Sequence, residues 1–262
     1  MQQAESKTKY IVRTVFLALS MCAQPSLQAQ SKPLAPPGHQ QTAQVPFVGC
    51  KADGQAGPLE APSGKNKTVP ITPELAQELA YDKAEQGPGV LAPRGWNCFE
   101  TYGSNGGTLY VTPQPINSEL VFSDKWKGLD GPAVQLSVAS GGTSGRFEVA
   151  EIIARVFPAH RAFVRSVIAE GIEPASSFPY GPYPTDKLAY KSKNIVEYET
   201  PPNTDGLGTN SMLQKNGNPI SGVAILAGAD TDLIHLSMRL PANLALLKAT
   251  IIQQVEQDAT QY

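Results

Sequence analysis

The chain has 262 residues, enough for one large domain, and 41% of them are hydrophobic, enough to fill a core. Charged residues make up only 17%, with 21 Lys and Arg against 23 Asp and Glu and a net charge of −2. No basic cluster is present to neutralise phosphates, so the composition points away from a nucleic-acid partner.

The N-terminus reads as an export signal. Lys7, Lys9 and Arg13 precede the short apolar run Thr14 to Ala23, and Leu27-Gln28-Ala29 offers a cleavage site after Ala29. This assigns residues 1–29 to a signal peptide and the protein to the secreted or periplasmic space. Leu19-Ser20-Met21-Cys22 also resembles a bacterial lipoprotein box, departing from it at Met21, so lipidation of Cys22 is the alternative. No apolar run reaches the length of a transmembrane helix. Cleavage after Ala29 removes three Lys/Arg and one Asp/Glu and makes the net charge −4. It also leaves two cysteines, Cys50 and Cys98, an even pair that reads as a structural disulfide in an oxidising compartment.

Residues 30–44, rich in Gln, Pro and Ala and carrying His39, read as a disordered tether. Residues 45–262 follow as a single domain. Val45 to Cys50 opens its ordered part, and Asp53 to Val69 reads as loop. Thr72-Pro73-Glu74 has the chemistry of a helix start, and Leu75, Ala76, Leu79 and Ala80 continue at helical spacing, predicting a helix over 73–86. Gly95 to Pro113 concentrates Trp96, Cys98, Phe99, Tyr102 and Tyr110 around the cluster Gly103-Ser104-Asn105-Gly106-Gly107, which predicts a hairpin with a loop of about five residues.

Glu119 to Phe122 is a short strand candidate, and Trp126 lies in a turn region. Ala133 to Ala139 alternates as a half-buried strand. A helical stretch from Phe147 to Glu170 is interrupted by Pro158, which predicts two helices or one sharp kink. A stiff loop with Phe178, Tyr180 and Tyr183 precedes a strand within 188–200, and Pro201 to Pro219 is loop. Ile220 to Ala227 and Thr231 to Leu240 are strands, the second with Ile234, Leu236, Met238 and Leu240 on one face and His235, Ser237 and Arg239 on the other. A helix from Pro241 or Ala242, with Leu244, Leu247, Ile251 and Val255 as its buried stripe, completes a β-β-α unit. Strands and helices do not alternate strictly, so the fold class is α+β with a largely antiparallel sheet.

No catalytic constellation stands out. Ser140 to Arg146 is a Gly-rich turn before a helix, and Gly142, Thr143, Ser144, Gly145 and Arg146 are its candidate anion-binding residues, although the spacing fits neither a dinucleotide fingerprint nor a P-loop. A serine hydrolase would need Ser144 to meet His160 or His235, with Asp230 or Asp232 as orienting acid. A two-carboxylate glycosidase would draw on Glu100, Glu119, Glu148, Glu151, Glu197 or Glu199, and the sequence singles out no pair. The residues give no metal-ligand spacing and no cofactor motif. Trp96, Tyr102, Tyr110, Tyr180 and Tyr183 are the candidate stacking residues for a sugar or peptide; for Trp96, core packing on the disulfide is the competing reading.

The runs VPFVGC and LAPRGWNCFETYGSNGGTLYV resemble a set of exported bacterial proteins that share a GWNCF…YGSNG core. The resemblance implies export and the Cys50–Cys98 pairing, and brings no activity, substrate or catalytic residue. The reading is therefore a non-catalytic binding or interaction module of the bacterial envelope or extracellular space, with a glycan or envelope component as the kind of partner. A secreted serine or two-carboxylate hydrolase is the alternative.

Overall fold

A computed structural model of the chain describes residues 41–260. The predicted signal peptide, Cys22 and most of the predicted tether lie outside these residues. In chain order the elements are β1 (Ala43–Val45), β2 (Phe47–Gly49), β3 (Lys51–Gly54), β4 (Lys67–Val69), α1 (Pro73–Glu78), β5 (Leu79–Lys83), β6 (Val90–Pro93), β7 (Asn97–Gly103), β8 (Gly106–Thr112), α2 (Ser118–Val121) and β9 (Ala133–Ala139). There follow α3 (Arg146–Val156), α4 (Arg161–Ala169), β10 (Lys187–Tyr190), β11 (Ile195–Thr200), β12 (Ile220–Ala227), β13 (Asp232–Arg239) and α5 (Lys248–Ala259). Strand β1 already begins within the predicted tether.

Eight strands form the main sheet in the order β10-β11-β12-β13-β9-β8-β7-β3. Every neighbour pair is antiparallel except β3 with β7. The described residues thus form a single α+β domain with a largely antiparallel sheet, as the sequence predicts. Smaller sheets, β2-β5-β6 and β1-β4, pack with α5 on one face of the main sheet. Their core includes Leu91, Leu109, Leu136, Leu236 and Ile251. Helices α3 and α4 cover the other face with Ile152, Ile153, Val164 and Val167 over Tyr198, Ala224 and Leu233.

This two-sided cover changes the meaning of the polar alternation in β13. Ile234, Leu236 and Met238 face α5 as expected, but His235, Ser237 and Arg239 are buried as well. They lie on the face away from α5 and must find partners there, because an unpaired buried polar group is costly. The Tyr198 hydroxyl donates to the Leu236 carbonyl at 2.8 Å, leaving its oxygen to accept from Ser237 Oγ at 2.6 Å and His235 Nε2 at 2.9 Å. Burial holds His235 in its neutral form, lowering its pKa to about 4. Gly222 makes the arrangement possible, since a Cβ there would lie 1.8 Å from the Leu236 carbonyl oxygen and 2.7 Å from the Tyr198 hydroxyl. Arg239 donates to the carbonyls of Leu129, Asp130, Gly131 and Gln214, and so pins two long loops to the sheet.

Local signals hold where no distant backbone competes. Pro158 separates α3 from α4, β9 covers the predicted residues, and Thr72 Oγ1 caps α1. Helix α1, predicted to run to residue 86, stops at Glu78. Residues 79–83 are instead the middle strand of a sheet, parallel to β2 and antiparallel to β6. Arg94 fixes the changeover by donating to the carbonyls of Ala76 at 2.7 Å and Leu79 at 3.2 Å. Residues 119–122, predicted as strand, fall instead in the short helix Ser118–Val121 and its C-cap, because Asn117 Oδ1 caps Leu120 N at 3.0 Å. Two strands occupy the region where one was predicted, β10 and β11. A 3₁₀ segment, Ala242–Leu247, precedes α5.

Cys50 and Cys98 are bonded, with a sequence separation of 48. A closed loop of this size contributes about 4 kcal/mol on the chain-entropy account. Tyr198→Phe removes one donor and the acceptor of two buried groups. It is expected to lower the unfolding free energy by ~1–3 kcal/mol in urea denaturation. A change within about 0.5 kcal/mol, the size usual for an unconnected surface position, would mean that the network carries no net stability.

Candidate functional site

The hairpin of β7 and β8 turns through only Ser104 and Asn105, tighter than the five-residue loop predicted. Gly106 is what permits it: its φ is +140°, and a Cβ there would lie 1.8 Å from the Val138 carbonyl oxygen of β9. Strand alternation then decides which side chains face which way. Cys98, Glu100 and Tyr102 share the face that bears the disulfide, while Phe99 and Thr101 share the other with their partners Tyr110 and Thr108.

On the disulfide side the hairpin floors a cavity of about 180 Å³, walled by Pro88, Tyr102, Leu136 and Val138 and closed by Gln86 and Gly87. Glu100 lines it and is 2% exposed. Its Oε2 has no hydrogen-bond partner. Burial pushes its pKa up to about 7, against the opposing effects of the Gln86 backbone N–H and the Lys83 ammonium. Lys83 itself donates to the Gly87 carbonyl at 2.6 Å, so a positive charge already stands beside this carboxyl.

A second cavity, of about 200 Å³, lies at the same turn and is lined by Thr101, Asn105, Thr108 and Glu148. Glu148 comes from α3, and burial followed by the neighbouring Glu151 raises its pKa. Glu100 and Glu148 therefore line different cavities, on either side of the β7–β8 hairpin, and do not flank a common position as a two-carboxylate mechanism requires.

A third raised acid, Asp82, is 1% exposed on β5. Burial alone pushes its pKa up to about 7, and its Oδ2 is unpartnered. It lies with the two disulfide sulfurs in a cluster whose ligand atoms are within 4.8 Å of one another, the one such three-residue group among the described residues. Because the sulfurs are bonded to each other, the group as it stands offers no thiolate to a metal.

The five candidate stacking residues do not share one surface. Trp96 and Tyr102 pack against the core on the disulfide side, and the Tyr102 hydroxyl donates to the Gly57 carbonyl at 2.6 Å. Tyr110 is buried in a separate cluster, edge-on to Trp126 at 6.3 Å. Tyr183 packs against the α3–α4 cluster under the Arg155 guanidinium, and Tyr180 is exposed with Arg161 over its ring at 5.1 Å. Of the five, only Tyr102 lines a hairpin cavity.

In the turn from Gly142 to Arg146, most donors are already engaged. Gly145 N–H donates to Thr143 Oγ1 at 3.2 Å, and the Arg146 guanidinium binds the Thr143 carbonyl and, at 2.7–3.0 Å, the Glu170 carboxylate. The preceding Gly141 N–H donates to the Asp232 carboxylate at 2.9 Å. The anions this turn holds are thus the protein's own. Ser144 is exposed, His160 Nε2 pairs with Asn194 Oδ1 at 2.8 Å, and His235 is engaged with Tyr198.

Asp82 carries no local signal in the sequence, and Glu100 and Glu148 are two of six acids that no motif tells apart. The available signal was parity: Glu100 is two residues from Cys98 in a strand, so it must share the inward face of the disulfide. Comparison with known proteins adds no assignment: no family model, no curated protein and no solved structure matches the chain.

Asp82 and Glu100 each hold a proton more tightly folded than unfolded. The resulting penalty is absent below the ordinary carboxylate range, where both states are protonated, and it is complete above about pH 7. For Asp82→Asn and Glu100→Gln, the stability difference from wild type is expected to become more favourable by roughly 3 kcal/mol between pH 4 and pH 8. Urea denaturation across that range checks this, and a difference constant with pH would contradict it.

Proposed function

We propose that the protein is an exported, disulfide-stabilised binding module of the bacterial envelope or extracellular space. In this reading it takes the terminal sugar of a glycan in the cavity beside Glu100. One observation carries the proposal: a carboxyl oxygen buried in a cavity wall without a partner. A ligand donor in the cavity is received by Oε1, the oxygen nearest the lining residues Gly87 and Gly107, on a carboxyl whose other oxygen has no partner.

The surroundings favour a neutral, hydroxyl-bearing ligand. An ammonium group would meet the like charge of Lys83, whereas sugar hydroxyls can donate to Glu100 without that repulsion. Pro88, Leu136 and Val138 give the C–H faces of a ring an apolar wall. The volume is below the ~300–1,000 Å³ of sites for drug-sized ligands, so a single sugar unit at a chain end suits it better than an internal stretch of polymer. Export is supported by the signal-like N-terminus and by a disulfide of the kind that persists in oxidising compartments. No described helix is long and apolar enough to cross a membrane.

Gly107→Val provides a test that leaves Glu100 in place. A Cβ at this position meets only ordinary contacts, one of them Glu100 Oε1 at 3.5 Å, so the larger side chain fills the cavity while suiting a strand. Calorimetric titration with monosaccharides and cell-wall saccharide fragments is expected to show one saturable site in the wild type. Gly107→Val is expected to abolish it with the thermal unfolding midpoint retained. Absence of saccharide binding, or binding unchanged by Gly107→Val, would overturn the proposal.

A further inference from the structure

The disulfide has a neighbour that a merely structural bridge does not need. Asp82 sits among the atoms of the bridge, within 4.8 Å of both sulfurs, with one oxygen that no protein group satisfies. The two cysteines also differ in access. Cys50 is 1% exposed, whereas Cys98, near the start of β7, is partly exposed and follows the exposed Asn97. A thiolate arriving from solvent therefore reaches the sulfur of Cys98 first. Its attack makes Cys50 the leaving sulfur, and a bare thiolate released into this apolar interior is strongly disfavoured unless a proton meets it.

We propose that the Cys50–Cys98 bridge is a thiol–disulfide exchange site, with Cys98 as the sulfur attacked by an external low-molecular-weight thiol and Asp82 as the proton donor and acceptor for Cys50. In the first step the external thiolate bonds to Cys98 Sγ, the Cys50–Cys98 bond breaks, and its electron pair leaves on Cys50. Asp82 passes its carboxyl proton to Cys50, giving a thiol and a carboxylate. A second external thiolate then attacks the external sulfur of the mixed disulfide, releasing the external disulfide and a Cys98 thiolate that takes a proton from solvent. Asp82 regains its proton from solvent, and the sum is two external thiols oxidised to one disulfide and the protein bridge reduced to two thiols. In the reverse direction, the Asp82 carboxylate removes the proton from Cys50 and makes it the nucleophile.

The electrostatic setting of Asp82 is simple. Strands β2 and β6, which flank it, carry no charged residue. Lys83 on its own strand is engaged with Gly87, Lys51 on β3 pairs with Glu60 at 3.2 Å, and Glu100 on β7 faces the hairpin cavity. Burial is the one cause that raises the proton affinity of Asp82, which leaves it protonated below about pH 7 and able to donate.

The test is the rate at which dithiothreitol reduces the full-length oxidised protein, followed by alkylation and mass. For the wild type the rate is expected to be first order in thiol and independent of urea below the unfolding transition. Asp82→Asn is expected to slow it at least tenfold at pH 6.5, by a proton-transfer contribution of the usual size, while both proteins react equally in full denaturant. Divided by the thiolate fraction of the reductant, the wild-type rate should fall as pH rises through about 7, and that of Asp82→Asn should stay flat. Should Asp82→Asn fail to fold, single-cysteine variants decide. Cys50→Ser should take up 5-thio-2-nitrobenzoate on Cys98 in the folded protein, and Cys98→Ser should leave Cys50 unreactive. A rate that climbs with urea from the lowest concentrations would show a bridge opened only by unfolding and would overturn the proposal. So would Asp82→Asn reacting as fast as wild type, or Cys50 labelling as readily as Cys98.

Discussion

Covering a sheet on both faces forces a choice on every polar side chain its strands carry. An antiparallel strand with one wet face can leave its alternate residues in water, but β13 has α5 beneath it and α3 above. His235, Ser237 and Arg239 are therefore buried, and the fold depends on their finding one another or finding backbone. Tyr198 binds His235 and Ser237, Gln135 donates to Ser137 at 2.9 Å, and Arg239 gathers loop carbonyls. The long segments between β8 and β9 and between β11 and β12, which carry only α2 and a 3₁₀ turn at Leu207–Thr209, are tied to the sheet by the Arg239 contacts.

Against that background the exceptions stand out. Six buried side-chain atoms of the described residues lack a partner, and two of them, one oxygen each on Asp82 and Glu100, lie in the layer around the disulfide. Such a group is held by its neighbours at a cost in stability and is found where chemistry or binding makes use of it. The two acids have different surroundings and different uses in this account. Glu100 faces a cavity that a ligand can enter, and Asp82 faces sulfur.

The same burial explains what could be read in advance. Elements defined by local chemistry were legible: the Pro158 break, the Thr72 cap, the alternation of Ala133 to Ala139 and the hairpin around Gly106. Leu79 to Lys83 was not, because its helical spacing is genuine and its strand character comes from β2 and β6, which approach from elsewhere in the chain. With β5 read as helix, Asp82 had no reason to lie at the bridge. The aromatic residues drew the eye towards a platform, yet alternation sends Tyr102 and Tyr110 to opposite faces, and only Tyr102 borders a cavity. The acids carry the candidate site, and their burial depends on tertiary cover that no local pattern records.

The claim at the centre of this account is that the Glu100 carboxyl is out of water and without a full set of partners. Its proton affinity reports that state directly. A carbon-13 NMR titration of the glutamate side-chain carboxyls in the folded protein, with the Glu100 signal assigned by its absence from Glu100→Gln, measures it. The account predicts a midpoint near 7. A midpoint at the ordinary glutamate value, near 4.5, would mean a carboxyl that is solvated or paired, and would contradict the account.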